Sequence, residues 1–174
     1  SAIREIEDLS LSTNAVLLAD QAQELKDAGI QRLNISLDSL QQERVDEIAR
    51  RPGSFPKIFE GLEAAERVGF TPIKVNVVLI RDRNDDEIED FARITKERPW
   101  HVRFIEVMPT GSNLDLSANS FVSCQEALRR VRAIDKLEPV DGPFGNGPAD
   151  YYRFPGAPGT VGVITPMSHN YCPR

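Results

Sequence analysis

The stretch Pro72-Ile73-Lys74-Val75-Asn76-Val77-Val78-Leu79-Ile80 decides the fold, because its β-branched and apolar residues predict a buried strand at the centre of a sheet. Lys74 and Asn76 stand two residues apart, so a pleated strand projects both side chains onto the same face. A lysine in a buried strand is costly unless it is paired or serves a ligand. Two interpretations stay open: Lys74 serves a functional site, or it lies on an edge strand with its ammonium in solvent.

Further strands and helices alternate around this stretch. Apolar alternation predicts strands beginning near residues 9, 31, 73 and 101, with helices between them, which is the pattern of parallel βαβ units. No glycine-rich phosphate-binding fingerprint follows any strand, and polar residues recur near the carboxyl ends of the strands, so a barrel or part of one is favoured over a doubly wound sheet. A Gly- and Pro-rich turn between 151–154 and 160–165 predicts an antiparallel hairpin appended to the barrel.

Local signals predict where the helices begin. Ser39 with Gln42, and Ser123 with Glu126, have the spacing of capping boxes. The run 84–87 places capping and acidic residues at the start of a helix that extends to about residue 97. Another helix is predicted from about Pro56 to Val68, with Gly61 tolerated inside it.

Composition excludes several classes of protein. Of the residues, 40% are apolar and 28% charged, and no run approaches the ~18 apolar residues of a membrane span. A net charge of −6 disfavours duplex nucleic acid as a partner. No signal segment is evident, and two distant cysteines do not make a disulfide framework. We therefore expect a cytoplasmic protein with neither nucleic acid nor membrane as a partner.

Polar side chains near the carboxyl ends of four successive strands predict a shared pocket. Arg103 and Glu106 have opposite parity in a regular strand, so both point inward only if a bulge or a strand end separates them. Near the C-terminus, His169 and Cys172 are metal-capable but form a poor metal motif by themselves. Cys124 is interpreted as a small core residue without a role. The polar residues of the four strands are Ser12, Thr13 and Asn14, then Asn34, Ser36 and Asp38, then Lys74 and Asn76, then Arg103, Glu106 and Met108.

Several strings in this order resemble the radical S-adenosylmethionine GTP 3′,8-cyclase family, whose reaction opens molybdenum cofactor biosynthesis. The resemblance runs through essentially the whole chain, and the strings together are far more specific than any one of them. They are Ser12-Thr13-Asn14, Arg32-Leu33-Asn34-Ile35-Ser36-Leu37-Asp38-Ser39, Lys74-Val75-Asn76-Val77-Val78, Asn84-Asp85-Asp86, Arg103-Phe104-Ile105-Glu106 with Met108, and Ser168-His169-Asn170-Tyr171-Cys172.

The resemblance implies a fold, a reaction and a set of partners. The fold is an α/β incomplete parallel (β/α) barrel of the radical S-adenosylmethionine type over 1–140, followed over 141–174 by the start of a cluster-binding extension that contains the β-hairpin. Reductive cleavage of S-adenosylmethionine gives a 5′-deoxyadenosyl radical, which abstracts hydrogen from the ribose of GTP. Beyond GTP and S-adenosylmethionine, the implied partners are a second copy of the chain in a homodimer and the next enzyme of the molybdenum cofactor pathway.

Individual residues acquire roles through the same resemblance. Ser12 and Lys74 match GTP-binding positions, and Ser36 and Met108 match positions that bind S-adenosylmethionine. Cys172 matches a ligand of the C-terminal 4Fe-4S cluster. No catalytic residue is assigned, and five further side chains are candidate pocket residues: Thr13, Asn14, Asn34, Asn76 and Arg103.

This chain departs from the family pattern in five respects. The family's N-terminal Cys-x3-Cys-x2-Cys motif and its Gly-Gly-Glu-Pro segment are absent, and the sequence stops two residues after Cys172. We therefore expect the middle of a larger enzyme whose full length carries two 4Fe-4S clusters, neither of them complete here, and a fragment that is inactive alone. Ser12 replaces the usual Thr and keeps the hydroxyl. Ala15 replaces the usual Gly, which argues against a left-handed backbone at that position.

Two other functions stay open from the residues themselves. A lysine in the middle of a barrel strand is also how Schiff-base aldolases present their nucleophile, here Lys74. A barrel that lacks strands exposes sheet edges, which favours a non-enzymatic nucleotide-binding or assembly module covered by a partner.

Overall fold

The chain alternates strands and helices, as the sequence pattern predicts. The computed structural model describes residues 8–108, 120–140 and 147–168. The strands in these ranges are β1 (Ser10–Thr13), β2 (Arg32–Ser36), β3 (Ile73–Leu79), β4 (Trp100–Glu106), β5 (Glu138–Pro139), β6 (Asp150–Arg153) and β7 (Thr160–Ile164). The helices are α1 (Leu18–Asp27), α2 (Gln42–Ala49), α3 (Ser54–Arg67), α4 (Ile88–Glu97) and α5 (Cys124–Arg132), and a 3-10 turn at Asp85–Glu87 precedes α4.

The strands hydrogen-bond in the order β1-β2-β3-β4-β7-β6-β5. β1 pairs in parallel with β2 and β4 with β7, whereas β6 is antiparallel to both β5 and β7. The predicted α/β class with a mainly parallel sheet is therefore confirmed. Two details differ from expectation. β4 rather than β3 is the middle strand of the order, and the predicted hairpin is not an appendage, because β7 lies between β4 and β6 in the same sheet.

Contacts between residues divide the chain into two compact units, Ser1–Val75 and Asn76–Arg174, which we call the first and the second unit. The division falls within β3. The predicted division near residue 140 stays a prediction, since residues 141–146 lie outside the described ranges.

In the first unit α1 and α3 pack closely because Gly61 has no side chain. A methyl group at Gly61 would lie 2.5 Å from the carbonyl oxygen of Ala15 and 3.0 Å from Cβ of Leu18. Leu62 and Ala65, on the same helix, are fully buried. Gly61 is thus required by the contact between the helices and is not merely tolerated in the helix.

The turn from β1 into α1 places Ala15 in the left-handed region, with φ of 62°. The expectation that alanine excludes this conformation is wrong. The Thr13 hydroxyl accepts a hydrogen bond from the Ala15 amide at 3.1 Å, and the Ala15 carbonyl accepts one from the Leu18 amide at 3.0 Å. These bonds and complete burial of Ala15 offset a backbone cost of about 1–2 kcal/mol.

In the second unit α4 and α5 cover one face of β4 and β7. Phe91 of α4 meets Phe104 of β4 edge to face, with ring centroids 6.5 Å apart. Cys124 and Leu128 of α5 pack against Val163 of β7. These contacts bury the apolar face of the sheet.

Two of the predicted helix starts involve contacts that the motifs do not specify. α2 begins at Gln42, in agreement with the predicted start, and the Ser39 hydroxyl accepts a hydrogen bond from the Gln41 amide at 3.0 Å. α3 begins at Ser54, earlier than predicted. The Asp46 carboxylate of α2 accepts the amides of Gly53 and Ser54, each at 2.9 Å, and so caps α3 from outside.

The other two predicted starts also differ in part. Asn84 caps no helix: its side chain accepts from the Ile80 amide and donates to the Val78 carbonyl, both at 2.8 Å, and so closes the loop after β3. Ser123 caps α5 as predicted, accepting from the Glu126 amide at 3.1 Å. The Glu126 carboxylate instead binds Arg81 at 2.7 and 2.8 Å, so half of this capping box forms.

Among the helices in the described ranges, none has the length and apolar character that crossing a membrane requires.

Candidate functional site

In the first unit the carboxyl ends of β1 and β2 bring predicted polar residues together. Ser12 and Asn34 are register partners in this parallel pair, so their side chains lie side by side on one face. Ser12 and Ser36 are exposed, and Asn34 is half-buried. The hydroxyl groups on this edge are therefore accessible to a ligand.

A cavity of about 230 Å³ opens at the same edge. Asn14, Ser36 and Asp38 supply its polar side. Its apolar side consists of Val16, Leu37, Val45, Ile48, Ala49 and Ile58. A cavity with one polar and one apolar side suits a ligand that has both characters, such as a nucleoside.

Lys74 lies within β3 and is 5% exposed. Because β3 has a neighbour on each side in the strand order, the edge-strand interpretation of Lys74 is wrong. A buried ammonium that stays charged requires acceptors around it, and phosphate oxygens are among the strongest.

In the second unit Arg103 of β4 is buried, at 7% exposed, and its Nε donates to Oδ1 of Asn76 at 2.7 Å. Gly162, its register partner on β7, leaves room for it. A methyl group at Gly162 would lie 3.0 Å from Cγ of Arg103 and 3.0 Å from the Tyr151 ring. The structure therefore joins two predicted pocket residues and fixes the plane of the guanidinium.

Three further residues extend this polar face: His101, Thr160 and Tyr151. The sequence analysis did not identify them as site residues. Nδ1 of His101 lies 2.7 Å from the Thr160 hydroxyl, and the imidazole meets the Tyr151 ring edge to face at 6.5 Å. His101 has the same strand parity as Arg103, which was an available signal. The pairing of β4 with β7, which brings in Thr160 and Tyr151, had no such signal.

Glu106 lies on the opposite face of β4 from Arg103 and is 1% exposed. Its carboxylate accepts from the Cys124 amide at the start of α5, so it faces the helices. β4 is regular through both residues, and the bulge that would turn both inward is not formed. Glu106 therefore does not belong to the polar face of Arg103.

The remaining predicted site residues are Met108 and Cys172, and Cys124 is the cysteine that was interpreted as a core residue. Met108, at the end of β4, is 50% exposed, so its thioether is accessible. Cys172 lies outside the described ranges. Burial raises the pKa of the Cys124 thiol to about 12, and its sulfur donates to the carbonyls of Phe104 and Ile164. The interpretation of Cys124 as a core residue is confirmed.

An iron–sulfur cluster needs several thiolate ligands. In the described ranges no three His, Cys, Asp or Glu side chains form a group that could hold a metal ion. Cys124 does not fit as a ligand, because a buried thiol with a raised pKa is not a thiolate. The described residues therefore do not fit a complete cluster, and none of them is assigned to one.

Two family profiles together cover nearly the whole chain. The profile described as Radical SAM superfamily matches residues 1–94, and the profile described as Molybdenum Cofactor Synthesis C matches residues 100–174. The junction between the two profiles lies at the start of β4.

Curated relatives match along the whole sequence. A protein named GTP 3′,8-cyclase from Picosynechococcus sp. is 49% identical over 97% of this chain and 52% of its own length. Proteins of the same name from Moorella thermoacetica and Listeria monocytogenes are 45% and 48% identical, covering 100% and 98% of this chain. The chain spans about half the length of these relatives, 53% and 51% for the latter two.

A solved structure shares the fold. The radical SAM methyltransferase from Sphaerobacter thermophilus superposes with a TM-score of 0.53 at 21% identity, over 88% of this chain and 40% of the other. At this identity the likeness concerns the fold alone, and it agrees with the expected partial barrel.

Proposed function

The chain belongs to the radical SAM superfamily, and we propose from this premise that it is part of a GTP 3′,8-cyclase of molybdenum cofactor biosynthesis. The observation that carries the proposal is the 45–49% identity, over nearly the whole chain, to proteins of that name. The profile over residues 100–174 supports it, because its description refers to molybdenum cofactor synthesis. In this family S-adenosylmethionine, when bound, supplies the radical chemistry, and the protein supplies binding and orientation.

GTP binding is assigned to Ser12 and Lys74. The Ser12 hydroxyl is exposed at the carboxyl end of β1 and is able to donate a hydrogen bond. The Lys74 ammonium, in a buried part of β3, is suited to an ion pair with a phosphate oxygen.

Arg103 is kept as a candidate pocket residue with the chemistry to bind an anion. Its hydrogen bond to Asn76 fixes the guanidinium plane, and a fixed planar guanidinium binds phosphate in a bidentate manner at a low entropy cost. Thr13, Asn14 and Asn34 support the position of the ligand rather than reacting with it. Asn14 and Thr13 also hold the turn that follows β1.

S-adenosylmethionine binding is assigned to Ser36 and Met108, which are both accessible. Ser36 lies at the polar side of the 230 Å³ cavity. Cys172 is proposed as an iron–sulfur ligand whose fellow ligands come from outside this sequence. A homodimer and association with the next enzyme of the pathway remain part of the proposal.

The test uses the full-length parent, reconstituted anaerobically with iron, sulfide, S-adenosylmethionine and GTP. We expect a cyclised purine product, and we expect Lys74→Ala to weaken GTP binding about 10-fold or more in calorimetric titration, as for loss of a buried charged contact. The matched control is Lys57→Ala, since Lys57 is exposed on α3. Absence of product from the wild-type parent contradicts the function, and unchanged GTP affinity removes Lys74 from the site.

Borohydride reduction in the presence of keto and aldehyde compounds tests the aldolase alternative. Trapping of a carbonyl compound on Lys74 would favour a Schiff-base mechanism. We expect no trapped adduct.

A further inference from the structure

The Glu106 carboxylate accepts four hydrogen bonds from two separate segments. Oε1 accepts from the Cys124 amide at 3.0 Å and from the Ser168 hydroxyl at 2.6 Å. Oε2 accepts from the amides of Met167 and Ser168 at 3.2 and 2.9 Å. One buried side chain thus ties the end of β4 to the start of α5 and to the turn that follows β7.

We propose that Glu106 is a positioning residue that fixes the chain at Met167 and Ser168 and so sets the point from which it runs on toward Cys172. Cys172 follows Ser168 by four residues in the sequence. The inference rests on the proposed function in one respect, since that function gives Cys172 its ligand role.

The chemistry of the contact favours a carboxylate at this position. All the groups that face its oxygens are donors, and bonds to an ionised acceptor are about twice as strong as neutral ones. Removing the acceptor would leave the buried Cys124 amide without this partner and would release the Met167 and Ser168 donors to solvent, so the segment at Met167 and Ser168 would lose its attachment to β4. Three of the four bonds go to Met167 and Ser168, so the turn after β7 depends on Glu106 more than α5 does.

Glutamine at this position separates the two parts of the contact. Its amide oxygen at the Oε2 position can keep the bonds from the amides of Met167 and Ser168, while its NH2 group at the Oε1 position faces the Cys124 amide and can donate to the Ser168 hydroxyl in place of accepting from it. Glu106→Gln should therefore preserve the turn and weaken only the start of α5. Glu106→Ala removes the bonds to the turn after β7 and the bond to the start of α5.

The first readout is amide hydrogen exchange in this chain. We expect Glu106→Ala to raise exchange at Met167 and Ser168 about 10-fold or more, and Glu106→Gln to stay close to wild type. Ser123→Ala is the matched control, because it removes the cap of α5 without touching the turn. Unchanged exchange in Glu106→Ala, or an equal rise in Ser123→Ala, overturns the proposal.

The second readout is the mobility of a nitroxide attached to Cys172. Cys124 is buried with a raised pKa and stays unlabelled, so the spectrum reports one position. We expect greater label mobility in Glu106→Ala than in wild type, with Glu106→Gln restoring the wild-type line shape. Equal line shapes in wild type and Glu106→Ala overturn the proposal.

If Glu106→Ala does not fold, Ser168→Ala tests the same contact from its other side, because Ser168 is exposed. It removes the hydroxyl bond alone and should raise exchange and label mobility in the same direction by a smaller factor. No change in either measurement contradicts the proposal. Neither readout uses iron, GTP or S-adenosylmethionine, so failure here is distinct from failure of the proposed function.

Discussion

The Glu106 carboxyl group is ionised in spite of its burial. Burial alone would raise its pKa, but the hydrogen bonds from Ser168, Cys124 and Met167 outweigh burial and hold the pKa below the usual 4.5. A folded-state pKa below the unfolded value stabilises the fold at pH above about 4.5, and this contribution is lost as the pH falls through the folded-state value.

This pKa shift predicts how the stability of the protein depends on pH. The free energy of unfolding of wild type should exceed that of Glu106→Gln at neutral pH, and the difference should shrink as the pH falls below 4.5 and through the lowered folded-state pKa, where the carboxylate becomes protonated. The Cys124 thiol, with a pKa of about 12, stays neutral throughout this range. Chemical denaturation of both proteins at several pH values measures the difference. A difference that does not vary with pH contradicts the assignment.

At the scale of single residues, the sequence predicted which side chains are buried better than it predicted their hydrogen-bond partners. The burial of Cys124 followed from the apolar residues around it, and the burial of Lys74 decides between two interpretations that the sequence left open. The bond between Arg103 and Asn76 joins two strands, and strand composition does not specify pairing or register. The left-handed backbone of Ala15 was missed because hydrogen bonds and packing in the turn override the preference of the residue.

Among the elements, the contact between α1 and α3 depends on Gly61. Alanine raises helix propensity by about 1 kcal/mol, but here its methyl group would meet the Ala15 carbonyl oxygen at 2.5 Å. Overpacking of this kind costs about 1–3 kcal/mol, and a backbone atom cannot move aside as a flexible side chain can.

We therefore expect Gly61→Ala to lower the free energy of unfolding, against the trend for helix interiors. The control is Glu60→Ala at an exposed position of α3, which should change stability by less than about 0.5 kcal/mol. Urea denaturation measures both variants. Stabilisation of Gly61→Ala by about 1 kcal/mol would show that the two helices can move apart without cost.

Periodicity predicted the helices and strands, whereas their starting points depended on contacts distant in sequence. Asp46 of α2 caps α3, and Arg81 takes the Glu126 carboxylate away from the capping box of α5. A capping motif is defined only by the residues next to the start of the helix. It therefore contains no information on a side chain from another element that binds the capping residue or caps the helix itself.

At the scale of the whole molecule, the parallel pattern predicted the class of fold but not the position of β7. A hairpin signal specifies that β6 and β7 pair with each other and does not specify which earlier strand accepts them. Thr160, which β7 places beside His101, was missed for that reason. The roles of Ser12, Ser36, Lys74 and Met108 stay predictions.

The cysteine content predicts how the chain behaves with iron. It contains two cysteines, and Cys124 is buried in the core, so a single thiol remains for ligation and a cluster needs about four ligands. After anaerobic treatment with iron and sulfide, we expect no stoichiometric iron or sulfide bound to this chain and no cyclised product from GTP. The full-length parent treated in the same way is the control. A stoichiometric cluster on this chain would contradict the prediction.

The place of β7 between β4 and β6 has a consequence for synthesis on the ribosome. The edge of β4 that β7 covers stays open while the roughly 50 intervening residues are added, which takes about 3–10 s at cellular rates of elongation. A largely buried strand with one uncovered edge is prone to mispairing during that interval. Translation speed over the segment before Thr160, and chaperones that shield an open strand, should therefore influence the yield of folded protein more than changes elsewhere in the message.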